Sequence, residues 1–208
     1  MRWFISDTHF GHKNIIEYGE RPFKDLAEMH QALIDNWNSR VQPSDTVYFL
    51  GDFGMAPKDD LFKICDQLNG KLVCILGNHD GSEKRMRDIG FDVALYGATI
   101  RIQGQWVNLK HIPPQYPPDT LTIHGHVHQH LPFGIFHNRL NVSVEVTNYL
   151  PVSEDQVASL MVKATVKMGG LYQMGTQTVP SNLPINLVKV GERLDPLTSC
   201  KEYTDNHT

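Results

Sequence analysis

Three short apolar runs, Trp3 to Ile5, Val47 to Leu50 and Leu72 to Leu76, limit what this chain can fold into more than any other feature. They are rich in β-formers and lack polar alternation, the pattern of strands covered on both faces. Between the first two, a segment opens at Asp25 with Glu28 three residues on as a capping box. It brings Leu26, Met29, Leu33 and Trp37 to one side, a spacing that predicts a helix. A second predicted helix starts near Lys58, groups Leu61, Ile64, Cys65 and Leu68, and stops at Asn69-Gly70. Strand, helix, strand, helix, strand implies crossover connections and parallel pairing, so the class is α/β.

After residue 90 the rhythm changes to short strand candidates at 93–96, 99–102, 106–109, 121–124 and 140–144, which read as a second, more antiparallel sheet. Ser153, with Gln156 three residues on, opens a last helix carrying Val157, Leu160, Met161, Ala164 and Met168, and Gly169-Gly170 ends it. The chain divides into a domain over 1–170 and an extension over 171–208, the latter a covering hairpin, a subunit contact or a tail.

Chemistry gathers at the carboxyl ends of the expected strands, where open α/β sheets place ligand sites. "SDTHFGH" offers Asp7 and His9, "LGDF" offers Asp52, and "LGNHD" offers Asn78, His79 and Asp80. Further on come His111 in "LKHIPP" and the alternating His124, His126, His128 and His130 of "HGHVHQH". Alternate residues of an extended chain share a face roughly 6 to 7 Å apart. Two imidazoles could thus each hold one of two metals about 3.5 to 4 Å from each other. Gly51, Gly77 and Gly125 precede candidate ligands, where a missing Cβ lets the backbone turn sharply and come close. Any one of Asp7, Asp52 or Asn78 alone could instead be a turn or cap residue.

The net charge of −4 argues against wrapping a long polyanion through a general basic surface. Three cysteines without C-x-x-C spacing read as reduced packing residues, and no apolar segment reads as a leader or membrane span. A cytoplasmic protein is expected.

The blocks D-T-H at 7 to 9, G-D at 51 and 52, G-N-H-D at 77 to 80, His111 and G-H-V-H at 125 to 128 resemble the calcineurin-like metallophosphoesterases, in the family's order. "SDTHFGHKNII", "RPF" and "NVSVE" further resemble small prokaryotic and phage members. The resemblance spans roughly residues 1–152 and implies a four-layer α/β/β/α sandwich with a dinuclear metal centre. It implies Asp7, His9 and His128 on one metal, Asn78, His111 and His126 on the other, and Asp52 bridging. A bridge needs an anionic oxygen that serves two cations. The lack of thiolate ligands leaves Mn²⁺, Zn²⁺, Fe, Ni²⁺ and Co²⁺ open, and Mn²⁺ is the first expected for a chain resembling this family.

The implied activity is hydrolysis of a small phosphoester, phosphodiesters ahead of monoesters, by a hydroxide bridging the metals. His79 would stabilise the transition state and protonate the leaving oxygen, with Asp80 orienting it. His12 and Arg21, beside the first metal loop, are candidate phosphate contacts. His124 and His130 read as packing or solvent-facing residues, against a share in substrate contact. Asn141 could orient a metal-bound histidine or cap a strand. His30, His137 and His207 read as surface residues. Relatives often carry an acid or asparagine shortly after the G-D block, and this chain has "GDFGM" there. Competing readings are a nuclease on polynucleotides, disfavoured by the absence of a basic stripe, and a catalytically silent binding module, disfavoured by the complete ligand set.

Overall fold

A computed structural model describes residues 1–168. The expected extension over 171–208, with its boundary, the Gly169-Gly170 helix stop and His207, lies outside the described residues. The first sheet joins β1 (Arg2–Ile5), β2 (Thr46–Phe49), β3 (Lys71–Ile75) and β4 (Val93–Leu95) in parallel order, with β10 (Val152–Ser153) antiparallel on the outer side of β1. The connections carry α1 (Ile15–Tyr18), α2 (Leu26–Asn38), α3 (Lys58–Cys65) and α4 (Glu83–Ile89).

Both faces of this sheet are covered. Ile5, Val47, Phe49, Leu72 and Cys74 meet Met29, Leu33, Trp37, Leu61 and Met86 from the helices on one side. Phe4, Leu50 and Ile75 meet Val107, Leu109, Ile123 and Leu140 on the other. Large side chains such as Phe4, Phe49 and Phe53 are fully buried, each contributing roughly 1.5–3 kcal/mol of transfer free energy.

The second sheet runs β5 (Ala98–Ile102), β6 (Gln105–Leu109), β7 (Thr122–His124), β9 (Arg139–Asn141) and β8 (Ile135–Phe136). It is more mixed than the sequence suggested. β5 with β6 and β8 with β9 are antiparallel, but β6 with β7 and β7 with β9 are parallel. The Pro-containing connection over 110–121 is long enough to carry the chain back for a parallel strand. β4 also belongs to the first sheet. The sequence reading passed over α4, which Ser82 caps by accepting the Arg85 amide and Gly90 ends at φ 123°, and this helix returns the chain in parallel beside β3.

Both expected N-terminal caps form. Asp25 accepts the Glu28 amide, though Glu28 Oε2 reaches back to Lys24 N rather than to the cap residue. Ser153 and Gln156 make the full reciprocal box that opens α5 (Glu154–Met168), a helix touching β1, β10 and β8. α3 ends at Cys65, short of the expected Asn69-Gly70, and looser turns fill the remainder. The α/β class and its two-sheet sandwich stand as expected. Among the described residues no helix is long and apolar enough to cross a membrane.

Candidate metal centre

The two sheets meet where the candidate residues lie. Just past β1, Ser6 pairs with Ser143 just past β9, its amide on Val142 O and its carbonyl taking the Val144 amide. The loop after β1 also runs beside the loop after β2: the amides of Asp7, His9 and Phe10 donate to Gly51 O, Asp52 O and Phe53 O. These bonds draw residues from both sheets to one point.

The backbone there is strained. Asp7, His9, Asp52, His126 and His128 all have left-handed φ values, 61°, 51°, 61°, 72° and 46°. Such a conformation costs a non-glycine residue on the order of 1–3 kcal/mol and persists only where surroundings impose it. This corrects the reading of the histidine run. β7 stops at His124, and a loop and a 3-10 turn over His128–His130 follow. His126 and His128 therefore reach the site through left-handed turns rather than by alternation along a strand. His124 is buried, with Nδ1 on Gly125 O and Nε2 unpartnered, whereas His130 is exposed.

The three glycines behave as expected. A Cβ on Gly77 would fall on Asp52 Oδ1, one on Gly125 on Asp7 Oδ2 and Ser6 Oγ, and one on Gly51 on the His111 ring.

Two groups of donors result. Asp7, His9 and His128 lie within 4.8 Å of one another, as do Asp52, His111 and His126. Asp52 spans them, with Oδ2 at 3.7 Å from His9 Nε2 and 3.3 Å from His111 Nε2. Asn78 Oδ1 closes the second group at 3.0 Å from His111 Nε2 and 3.1 Å from His126 Nδ1. His111 Nδ1 faces the Leu50 carbonyl at 2.8 Å, an acceptor only, so that nitrogen carries the proton of the neutral imidazole, and Nε2, facing Asp52 and Asn78, is the nitrogen that takes a further proton or a metal.

Electron-pair donors aimed at one another call for a cation between them. Protons can serve only in part. Burial opposes the charge on His111, but the bond to Asp52 and the charges of Asp7 and Asp52 outweigh it and lift the imidazole to about 9. Burial alone would raise Asp52, yet His111 and the His79 amide hold it below the usual carboxylate range. Burial holds His9 down to about 3, and both of its ring nitrogens are buried without a hydrogen-bond partner. A neutral, unpartnered imidazole facing two carboxylates fits a metal.

Asp7 is fully buried, and its carboxylate accepts the His126 amide at 3.0 and 3.1 Å and Ser143 Oγ at 2.8 Å. Asp80 departs from expectation. Its oxygens accept the amides of Asp52, Phe53 and Gly77, each at 2.8 Å, so its carboxylate pins the Asp52 loop instead of orienting the His79 ring. His79 itself is exposed at the rim, its ring 5.5 Å from that of His9.

Arg21 departs further. Its side chain is wholly buried and bound to Glu145, Asp7 O and Thr8 O, which removes it from phosphate contact. His12 is half-buried between His9 and Tyr18, with Nδ1 unpartnered. His30 is not a plain surface residue, since it accepts the Gly11 amide at 2.8 Å behind the first loop.

Sequence reasoning passed over Ser143 and Glu145. A signal was there: Asn141, Ser143 and Glu145 alternate with Val142 and Val144, a polar face on a buried extended segment. All three serve the site. Asn141 Nδ2 donates to His128 O and Leu131 O, both at 2.7 Å, and Glu145 Oε1 accepts from His128 Nδ1 at 2.9 Å.

Paired donor groups sharing one carboxylate, at the strand ends of a two-sheet sandwich, define the architecture of a metal-dependent phosphoester hydrolase. The chain belongs to the calcineurin-like phosphoesterase family, whose pattern it matches over residues 2–176. It is 40% identical over 174 residues to an uncharacterized protein of Methanocaldococcus jannaschii, covering 79% of this chain and 93% of that one. A shorter likeness, 38% over 90 residues, joins it to the gene 66 protein of Mycobacterium phage L5, covering 41% of this chain and 42% of that protein. Among solved structures, a protein of unknown function from Aquifex aeolicus superposes with a TM-score of 0.66 at 29% identity, covering 77% of this chain and 98% of its own.

Proposed function

We propose that this chain is a dinuclear-metal phosphodiesterase acting on small or nucleotide-type substrates. The observation that carries the reading is Asp52 lying between the two donor groups, within 3.7 Å of His9 and 3.3 Å of His111. Asp7, His9 and His128 would hold one cation, Asn78, His111 and His126 the other, and Asp52 would contact both. Divalent cations bound there supply positive charge for the phosphoryl oxygens and a water acidic enough to attack at neutral pH. Oxygen and imidazole donors without thiolate are compatible with Mn²⁺, the first cation to test, and equally with Zn²⁺, Fe, Ni²⁺ and Co²⁺.

The chain's own residues supply the rest. His79, at the rim with its amide on Asp52 Oδ1, donates a proton to the departing oxygen. His12 contacts the substrate from the side of the first loop. Arg21, committed to Glu145, is not free to offer its guanidinium to the second negative charge of a monoester, which favours diesters. The described cysteines, Cys65 and Cys74, are buried free thiols, in keeping with a reducing compartment such as the cytoplasm.

The test is a screen of phosphodiesters, cyclic nucleotides and phosphomonoesters with Mn²⁺, Zn²⁺, Ni²⁺ and Mg²⁺ in turn. Diester turnover above monoester turnover is expected. Metal binding with no turnover of any phosphoester would replace the enzyme by a binding module.

A further inference from the structure

Behind His128, on the side away from the candidate metals, lies a polar cluster that contributes no donor atom to either group. The Glu145 side chain is only 4% exposed. Its Oε1 accepts from His128 Nδ1 at 2.9 Å and from Arg21 Nε and a terminal nitrogen at 3.0 and 2.6 Å. Arg21 in turn donates to Thr8 O at 2.8 Å and Asp7 O at 2.7 Å. Those carbonyls sit in the loop where Asp7 and His9 are left-handed. One carboxylate and one guanidinium therefore join the side chain of His128 to the backbone that presents Asp7 and His9, and these are the members of a single donor group.

We infer that Glu145 is the positioning residue of the Asp7, His9 and His128 group: it fixes His128 as the Nδ1–H tautomer and anchors the arginine that holds the 7–9 loop. The inference rests on the dinuclear reading above. A neutral imidazole has two tautomers, and only the one protonated on Nδ1 presents Nε2 as a lone-pair donor. A carboxylate accepts and never donates, so it selects that tautomer and strengthens the basicity of the far nitrogen. The Arg21 bonds offset the cost of two left-handed residues. Neither partner is dispensable alone, because removing one leaves the other's charge buried and unpaired. The second group is built differently, since His111 Nδ1 leans on the uncharged Leu50 carbonyl.

Glu145→Gln is the variant of choice. It keeps an acceptor toward His128 and Arg21, removes the charge, and places an amide nitrogen where Oε2 now has no partner. Zinc is titrated calorimetrically into metal-free parent and variant, and imidazole ¹⁵N spectra are recorded for metal-free parent under alkaline conditions and for both proteins loaded with zinc. The parent is expected to show His128 protonated on Nδ1 and to take up two zinc ions through Nε2 of His128 and the other donors. The variant is expected to bind one zinc 10 to 100-fold more weakly, the other at parental affinity, with His111 resonances unmoved.

A uniform loss at both groups would point to a general structural role and overturn the inference. So would two zinc ions bound at parental affinity by the variant. The parent spectrum decides even if the variant does not fold, because a His128 protonated on Nε2 contradicts the assignment outright. A parent that binds no zinc sinks the dinuclear reading, and this inference with it.

Discussion

Gly77→Ala isolates the close packing behind Asp52 from every other property of the site. The residue has no positive φ, so alanine is allowed by the backbone. Space is the obstacle. The added Cβ would fall on Asp52 Oδ1, 2.6 Å from Asp52 N and 2.9 Å from Asp52 Cγ. Carbon atoms in ordinary contact stand about 3.5 to 4.0 Å apart, so Asp52, its backbone nitrogen as well as its carboxylate, must retreat by roughly 0.5 to 1 Å. It has little freedom to do so, with its amide on Asp80 Oδ2, its Oδ1 on the His79 amide and its φ at 61°. Overpacking of this kind costs roughly 1–3 kcal/mol, a part of the usual 5–15 kcal/mol, so the fold should survive. Catalysis should not, since misplacement by about 1 Å is worth on the order of 10²-fold. The measurements are thermal unfolding, bound metal per chain and the rate on the best diester from the screen. Gly104→Ala is the control: its φ of 77° makes alanine strained, but nothing lies within 4 Å of the new methyl, so it should lose stability and keep the rate. A Gly77→Ala protein with metal content and rate within threefold of the parent would refute the argument from Asp52.

Other perturbations separate the remaining roles. Asp52→Asn removes the anion shared by both groups, and metal analysis should find occupancy of both reduced, with turnover lost by at least 10 to 100-fold while circular dichroism stays parental. His79→Asn should keep its metals but slow esters with basic alkoxide leaving groups by roughly 10² to 10⁴-fold. Activated aryl esters should lose far less, and equal losses on both would remove the acid role. His124 is buried neutral, burial holding its imidazole down to about 4 against a lesser opposing bond to Gly125 O. The unfolded chain takes up its proton first, so this residue costs stability as pH falls from about 6.5 to about 4, up to about 3 kcal/mol. His124→Leu should flatten that slope in denaturant titrations of metal-free protein, and a slope unchanged by the substitution would show that His124 is not the group responsible.

What the sequence made legible, and what it hid, follows from how each residue is presented. Asp7, His9, Asp52, Asn78, His111, His126 and His128 stand at strand ends, and the structure brings all of them together. Buried strands leave plain signals, because Phe4, Val47 and Leu72 must be apolar on whichever face they fall. Handedness leaves none: an aspartate or histidine at φ near 60° is spelled like any other, so the left-handed turns at His126 and His128 read as one stretch of extended chain. The real alternation lay at Asn141, Ser143 and Glu145, of which the sequence marks only Asn141 as a candidate partner for a metal-bound histidine, because nothing local shows which carboxylate or hydroxyl of an extended segment faces the site. Arg21 shows the same blindness in reverse. A cation near a metal loop suggests a phosphate contact, but the carboxylate that claims it stands at position 145, and only the meeting of the two sheets brings them together. Donor atoms are local and can be recognised by type, whereas the groups that hold them at the required angle are assembled from distant segments. For that reason the pairing of Glu145 with Arg21, unlike the candidate ligands, has no mark in the sequence.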